Sequence, residues 1–291
     1  MRAVLLFGLL LVAANAANVE VQTGYHAEVG IPLAEEIRQY EERLATGADV
    51  ENRIVGGALA PGGAYPYFAG LLISLVNVAG NSVCGSSLLS ANRLVTAAHC
   101  WTDGWNQAWR FEVILGSNFL FSGGTRIHTT NVVMHPQYTP SNLNNDIAMI
   151  YLPNNVGFTG LISPIEIPSA SETSQTFVGN WATAAGFGRT SDQQAGASTT
   201  VHHVNLQVIS VAQCQATFGT SFVVQSTICT HGGGGVGICG GDSGGPLVIN
   251  HNGRLILIGV SSFVAAAGCQ LGHPSAFART TSFRNFIVQH L

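Results

Sequence analysis

From Ile54 to the C-terminus, apolar residues come in short runs broken repeatedly by Gly, Asn, Ser and Pro, and this punctuation constrains the fold more than any other feature. The runs at 69–78, 93–98, 111–115, 147–152 and 201–208 read as strands. In the stretch 247–258, Asn252-Gly253 separates two apolar runs, a strong hairpin signal. Only two segments here read as helices: 210–217, and the C-terminal segment where Phe283, Phe286 and Ile287 share one face. Many short strands and few helices predict an all-β fold, a sandwich or a barrel, and not a doubly wound sheet.

The chain before Ile54 is different. Met1 and Arg2 precede an apolar run at 4–13 and then Ala14-Asn15-Ala16, so residues 1–16 read as a secretory signal and the protein as secreted and extracellular. That run falls well short of the ~18 to 20 residues a membrane span needs. Residues 17–53 hold eight acids against three arginines, whereas 54–291 hold seven of each. Within the leader, Leu33, Ile37, Tyr40 and Leu44 follow helical spacing, which fits either a short amphipathic helix or a solvated acidic spacer. The organisation expected is signal 1–16, propeptide 17–53 and one catalytic domain, 54–291. With 46% hydrophobic and 9% charged residues, the chain suits a folded enzyme. No basic stripe downstream of the leader suggests nucleic acid or a membrane surface as a partner.

The six cysteines, Cys84, Cys100, Cys214, Cys229, Cys239 and Cys269, all follow the leader. An even count behind an export signal predicts disulfides, although spacing leaves fifteen connectivities open. None of them makes a Cys-x-x-Cys metal spacing, His202 and His203 would project to opposite faces of a strand, and no metal or cofactor is assigned.

Chemistry concentrates in three segments. Cys239-Gly240-Gly241-Asp242-Ser243-Gly244-Gly245-Pro246 sets a serine among glycines, where a tight turn can expose the hydroxyl to a base. The same glycines leave the amides of Gly241 and Ser243 free to point at a developing oxyanion. Thr96-Ala97-Ala98-His99-Cys100 ends an apolar run with an imidazole, and Asn145-Asp146-Ile147 puts a carboxylate at the mouth of another. A carboxylate so placed can fix the imidazole's tautomer.

Taken together and in this order, the three segments resemble the motifs of the chymotrypsin-like serine peptidase family over Ile54 to Leu291, with a look closest to insect midgut chymotrypsins and collagenase-like brachyurins. The resemblance implies two six-stranded antiparallel β-barrels with a short C-terminal helix. It implies His99 as general base and then acid, Asp146 as its orienting group and Ser243 as nucleophile. It also implies bridges Cys84–Cys100, Cys214–Cys229 and Cys239–Cys269. Arg53-Ile54-Val55-Gly56-Gly57 resembles the family's activation junction, where a trypsin-like protease would free an Ile54 amine to pair with Asp242.

By the family's spacing, Gly237 lies at the base of the specificity pocket, where trypsin-like members carry Asp, so cleavage after Lys or Arg is not expected. Ser262-Phe263-Val264 would form the pocket wall, with Ser275 deeper. Val264, where the family has glycine, leaves small apolar and large aromatic preferences both open. The chain has no lysine, which fits an alkaline digestive fluid such as a gut lumen. Peptide and protein substrates, protein inhibitors and a monomeric state are expected. The rival readings are a regulatory extracellular protease and a non-catalytic homologue that binds. The order His, Asp, Ser argues against a lipase-type elbow.

Overall fold

The computed structural model describes residues 18–47, 58–192 and 200–291; the expected signal and the Arg53-Ile54 junction lie outside the described residues. Its framework is two sheets. The first is built from β2 (Phe68–Leu75), β3 (Asn81–Ser90), β4 (Arg93–Thr96), β5 (Ala108–Leu115), β6 (Thr125–Thr129), β7 (Val132–Met134) and β8 (Ala148–Tyr151), paired in the order β6-β5-β2-β3-β4-β8-β7. Only residues 130 and 131 separate β6 from β7. Taken as one bent strand, the two close this sheet into a six-stranded barrel.

The second sheet follows β1 (Ala58–Leu59), β10 (His202–Ile209), β11 (Thr227–Thr230), β14 (Ser275–Arg279), β13 (Arg254–Phe263), β12 (Pro246–His251) and β9 (Trp181–Gly186). Because β9 pairs with both β12 and β10, six of these strands close into a barrel, and β1 is a short addition on its edge. Every named strand pair in both sheets is antiparallel. The expected pair of six-stranded barrels is therefore present.

Each barrel is filled from its own strands. Leu71, Ile73, Leu88, Phe111 and Ile150 are sealed in the first, and Leu206, Ile228, Ile256, Ile258 and Phe277 in the second. The β12–β13 hairpin turns at Asn252 (φ 54°) and Gly253 (φ 79°), the left-handed pair that a two-residue hairpin with right-handed twist demands. The strand expected at 93–98 stops at Thr96, since Ala98–Cys100 winds into a 3-10 turn that carries His99 out of the sheet. Helix α2 (Val211–Phe222) starts on a capping box between Ser210 and Gln213, and α3 (Thr280–Gln289) buries Phe283 and Ile287. The three disulfides join Cys84 to Cys100, Cys214 to Cys229 and Cys239 to Cys269.

The leader is structured. One π-helical turn, His26–Gly30, runs into α1 (Ile31–Ala45), with Pro32 at the junction. Leu33, Ala34 and Ile37 pack with Leu72, Val83, Leu120 and Phe187 in one apolar cluster that includes residues of both barrels. Of the two readings of this segment, the helix is the one adopted. Its buried stripe ends at Tyr40 and Glu41, and Leu44 is exposed. Among the described residues, no helix is long and apolar enough to cross a membrane.

Candidate active site

The cleft between the barrels gathers the three segments singled out in the sequence. His99 sits on the turn after β4, and Asp146 lies just before β8, the strand paired with β4. The His99 backbone N–H donates to Asp146 Oδ1 at 2.8 Å, and His99 Nδ1 lies 2.7 Å from Asp146 Oδ2. A third donor, the Ser262 hydroxyl, reaches the same Oδ2 at 2.6 Å. Both side chains are almost wholly shielded from water, at 3% and 1% exposure. A carboxylate can be buried here because three short donors replace its hydration. The geometry holds the imidazole with Nδ1 toward the acid, leaving Nε2, which is buried and bonded to nothing.

Ser243 is held by a turn stitched to both barrels. Its carbonyl accepts from Gly85 N of β3 at 2.7 Å, and Gly244 N donates to Ser261 O of β13 at 2.8 Å. Gly244 has φ 77°, and a Cβ there would lie 2.2 Å from Thr96 Oγ1 and 2.3 Å from Gly85 O. Only glycine lets the serine turn come this close to the barrel that carries His99.

Next to the serine, the Asp242 carboxylate accepts from Gly188 N at 2.8 Å and Cys239 N at 2.9 Å. A Cβ on Gly186 or Gly188 would strike it at 2.2 or 2.3 Å, so the main chain is wrapped around this group. Burial pushes its pKa up to about 6, against the opposing pull of the two amides.

Of the expected pocket residues, Gly237 and Ser275 face each other: a Cβ on Gly237 would be 2.7 Å from Ser275 Oγ, which accepts from Ile238 N at 3.1 Å. Phe263 is buried, and half-buried Val264 packs on the apolar cluster of the second barrel. Ser262, expected in the pocket wall, turns its hydroxyl to Asp146. Both Gly241 and Ser243 lie in the serine turn, with Gly241 at φ 105°.

Sequence reasoning missed the residues that cover this site. Tyr25, from the leader, lies edge-on to the His99 ring with centroids 4.8 Å apart. Its hydroxyl donates to Val83 O at 2.7 Å. Burial raises the Tyr25 pKa, the neighbouring Ser243 hydroxyl opposes the rise, and Asp242 adds to it. His26 is also buried, with Nδ1 2.8 Å from Ser82 Oγ and its backbone N–H donating to Asp103 Oδ2 at 2.9 Å. The one sequence signal pointing this way was the apolar spacing of Leu33 and Ile37, which a solvated spacer would not need.

Two closed antiparallel barrels with a buried His–Asp pair and a serine turn in the cleft between them define a serine hydrolase. Residues 54–287 match the family model described as Trypsin, and the chain belongs to that family of serine peptidases. It is 37% identical to the Collagenase of Hypoderma lineatum over 242 residues, 82% of this chain and 88% of the relative. Brachyurin of Leptuca pugilator is 38% identical over 237 residues, covering 80% of this chain and 96% of the relative. The solved structure of HL collagenase superposes with a TM-score of 0.74 at 34% identity, over 81% of this chain and 98% of that one.

Proposed function

We propose that this trypsin-family serine peptidase is secreted as a precursor, activated by cleavage at Arg53-Ile54, and hydrolyses peptide bonds after apolar residues, with digestion in a gut lumen as its role. The observation that carries the reading is the water-shielded His99–Asp146 pair beside the Ser243 turn.

Protein and peptide chains are the substrates. The carboxylate of Asp146 holds His99 with Nδ1 protonated, so Nε2 takes the Ser243 proton as Oγ attacks the carbonyl carbon. The imidazolium formed is stabilised by the same carboxylate. His99 then returns the proton to the departing amine, releasing the C-terminal product and leaving an acyl-enzyme. Water repeats the sequence with His99 again as base, which frees Ser243. The amides of Gly241 and Ser243 serve the oxyanion; each such donor contributes roughly 3 to 4 kcal/mol in measured systems. No cofactor is needed.

Asp242 supplies the reason for a precursor. A carboxylate enclosed by main chain, with its pKa raised to about 6, favours a cation that can enter beside it. The Ile54 amine is such a cation, and it exists only after cleavage. For specificity, Gly237 offers no charge to a basic side chain, while Ser262, Phe263, Val264 and Ser275 give a mainly apolar, uncharged surround.

The test uses purified precursor, cleaved with trypsin and freed of it, assayed on peptides that differ only before the scissile bond, with Ser243→Ala as control. Hydrolysis after Ala, Val or Leu assigns a narrowed pocket, and hydrolysis after Phe or Tyr an open one. Preference for Arg, or hydrolysis that survives Ser243→Ala, would refute the assignment.

A further inference from the structure

The leader lies in the cleft as an extended chain and then a helix. Its first part runs antiparallel to the pocket wall: Ala266 N donates to Glu20 O at 2.9 Å, Gln22 N donates to Val264 O at 3.2 Å, and Val21 bridges Ala265. A peptide strand added there takes main-chain donors and acceptors of the expected pocket wall. Gly24, at φ 65°, then turns the chain so that Tyr25 drops onto His99 and Ser243. The phenol thus lies against the base and beside the nucleophile, and His99 Nε2 is left without a partner.

Beyond Tyr25 the leader covers the serine turn. Val29 lies over Gly240 and Leu33 over Gly241, the latter so close that a Cβ on Gly241 would be 2.1 Å from Leu33 Cδ2. Gly30 presses against β3: a Cβ there would fall 1.9 Å from Ser82 Oγ. At the far end, Glu41 holds the 120–122 loop by accepting from Leu120 N at 2.7 Å, Phe121 N at 3.0 Å and Ser122 Oγ at 2.8 Å.

All these contacts lie between residues 19 and 41, on the N-terminal side of Arg53. A cut at Arg53 breaks none of them, and all six cysteines pair within the catalytic part, so no disulfide decides whether the leader stays. We propose that the leader is a cleft-directed inhibitor which remains bound as a separate peptide after Arg53 is cut, so that activity requires a second step, its dissociation or digestion. This rests on the peptidase reading above.

The experiment cleaves precursor briefly at micromolar concentration, and mass spectrometry verifies an intact leader fragment and an Ile54 terminus. The sample is then run on gel filtration and assayed for amidolysis across serial dilution. We expect the fragment to co-elute with residues 54–291 and specific activity to rise at least tenfold on dilution. Tyr25→Ala and Gly30→Val, which leave the catalytic side chains untouched, should release the fragment and give full activity at once. Full, concentration-independent activity immediately after the cut, or a retained fragment on an active enzyme, would overturn the proposal. The co-elution arm is repeated with Ser243→Ala protein. Failure of leader-free enzyme to hydrolyse anything would reject the peptidase reading, whereas loss of co-elution in Ser243→Ala would reject the bound leader.

Discussion

Acid should loosen the leader, and the size of the effect follows from His26. In the docked leader this imidazole is sealed from water, and burial pushes its pKa from 6.5 down to about 4; the facing Asp103 carboxylate pulls the other way, and the charge of His99 adds to the fall while its backbone opposes it. Released, it returns to 6.5. Free leader therefore binds more protons than docked leader between pH 4 and pH 6.5, and docking is full above pH 6.5 and lost as pH falls through that window. Linkage between these two values gives about 70-fold weaker docking at pH 4.5 than at pH 7.5, or about 2.5 kcal/mol. Asp103 acts in the same direction at lower pH. Burial pushes its pKa up, but the N–H groups of Asn106, His26 and Trp105 outweigh that and hold it below the usual carboxylate value, and release removes the His26 donor. The assay is calorimetric or gel-filtration titration of leader retention on cleaved Ser243→Ala protein from pH 7.5 to 4.5. A parallel series uses His26→Asn, which keeps a polar partner for Ser82 and removes the titration. Groups common to both proteins cancel in the difference. Equal pH slopes in the two series would refute the argument.

Gly244→Ala should destabilise the protein by at least about 3 kcal/mol, because it adds a left-handed alanine and a clash with Thr96 and Gly85; thermal melting would show a fall of roughly 6 to 12 °C. Replacing Cys239 and Cys269 by serine opens a loop spanning 30 positions and should cost about 3.5 kcal/mol on loop entropy, read as a lower denaturation midpoint, with poorer hydrolysis because the bridge anchors the chain beside Gly240. Asp242 makes its own contribution to precursor stability against pH. Its folded pKa of about 6 lies above the ordinary carboxyl value of 3.8, so that contribution is full below pH 3.8 and lost as pH rises through 6, to a limit of about 3 kcal/mol. Urea unfolding of the Asp242→Asn precursor should lack this slope; an unchanged pH profile would count against the buried carboxyl.

The all-β class was legible because several strands are announced locally, whereas the pair of six-stranded barrels was implied only by the family resemblance. Asn252-Gly253 marks a hairpin whatever the rest of the chain does, and the runs around Leu71, Leu94 and Ile150 are too short and too apolar for much else. His99, Asp146 and Ser243 were legible through their immediate neighbours, since glycines and strand ends constrain the backbone within a few residues. Ser262 was placed in the cleft, but its bond to Asp146 spans 116 positions and no local pattern predicts it. The same applies to the leader. Glu41 reads as one more acid in an acidic segment, and what it does depends on three donors in the 120–122 loop. Helical spacing revealed that α1 had a face to bury, and nothing in that spacing says the surface it meets is the serine turn.

That surface explains why one segment can restrain the site in two places. The turn from Cys239 to Gly245 is rich in glycine because Asp242, Gly85 and Thr96 crowd it, and a chain with so few side chains leaves open space on its outer face. Val29 and Leu33 fill that space over Gly240 and Gly241. Tyr25 meanwhile lies edge-on to the His99 ring beside Ser243, and His99 Nε2 has no partner. In the proposed activation, an Ile54 amine would pair with Asp242 in the same turn. The unpaired Asp242 carboxylate and the docked leader depend on different groups, so relieving the first by cleavage at Arg53 leaves the second in place until the leader departs.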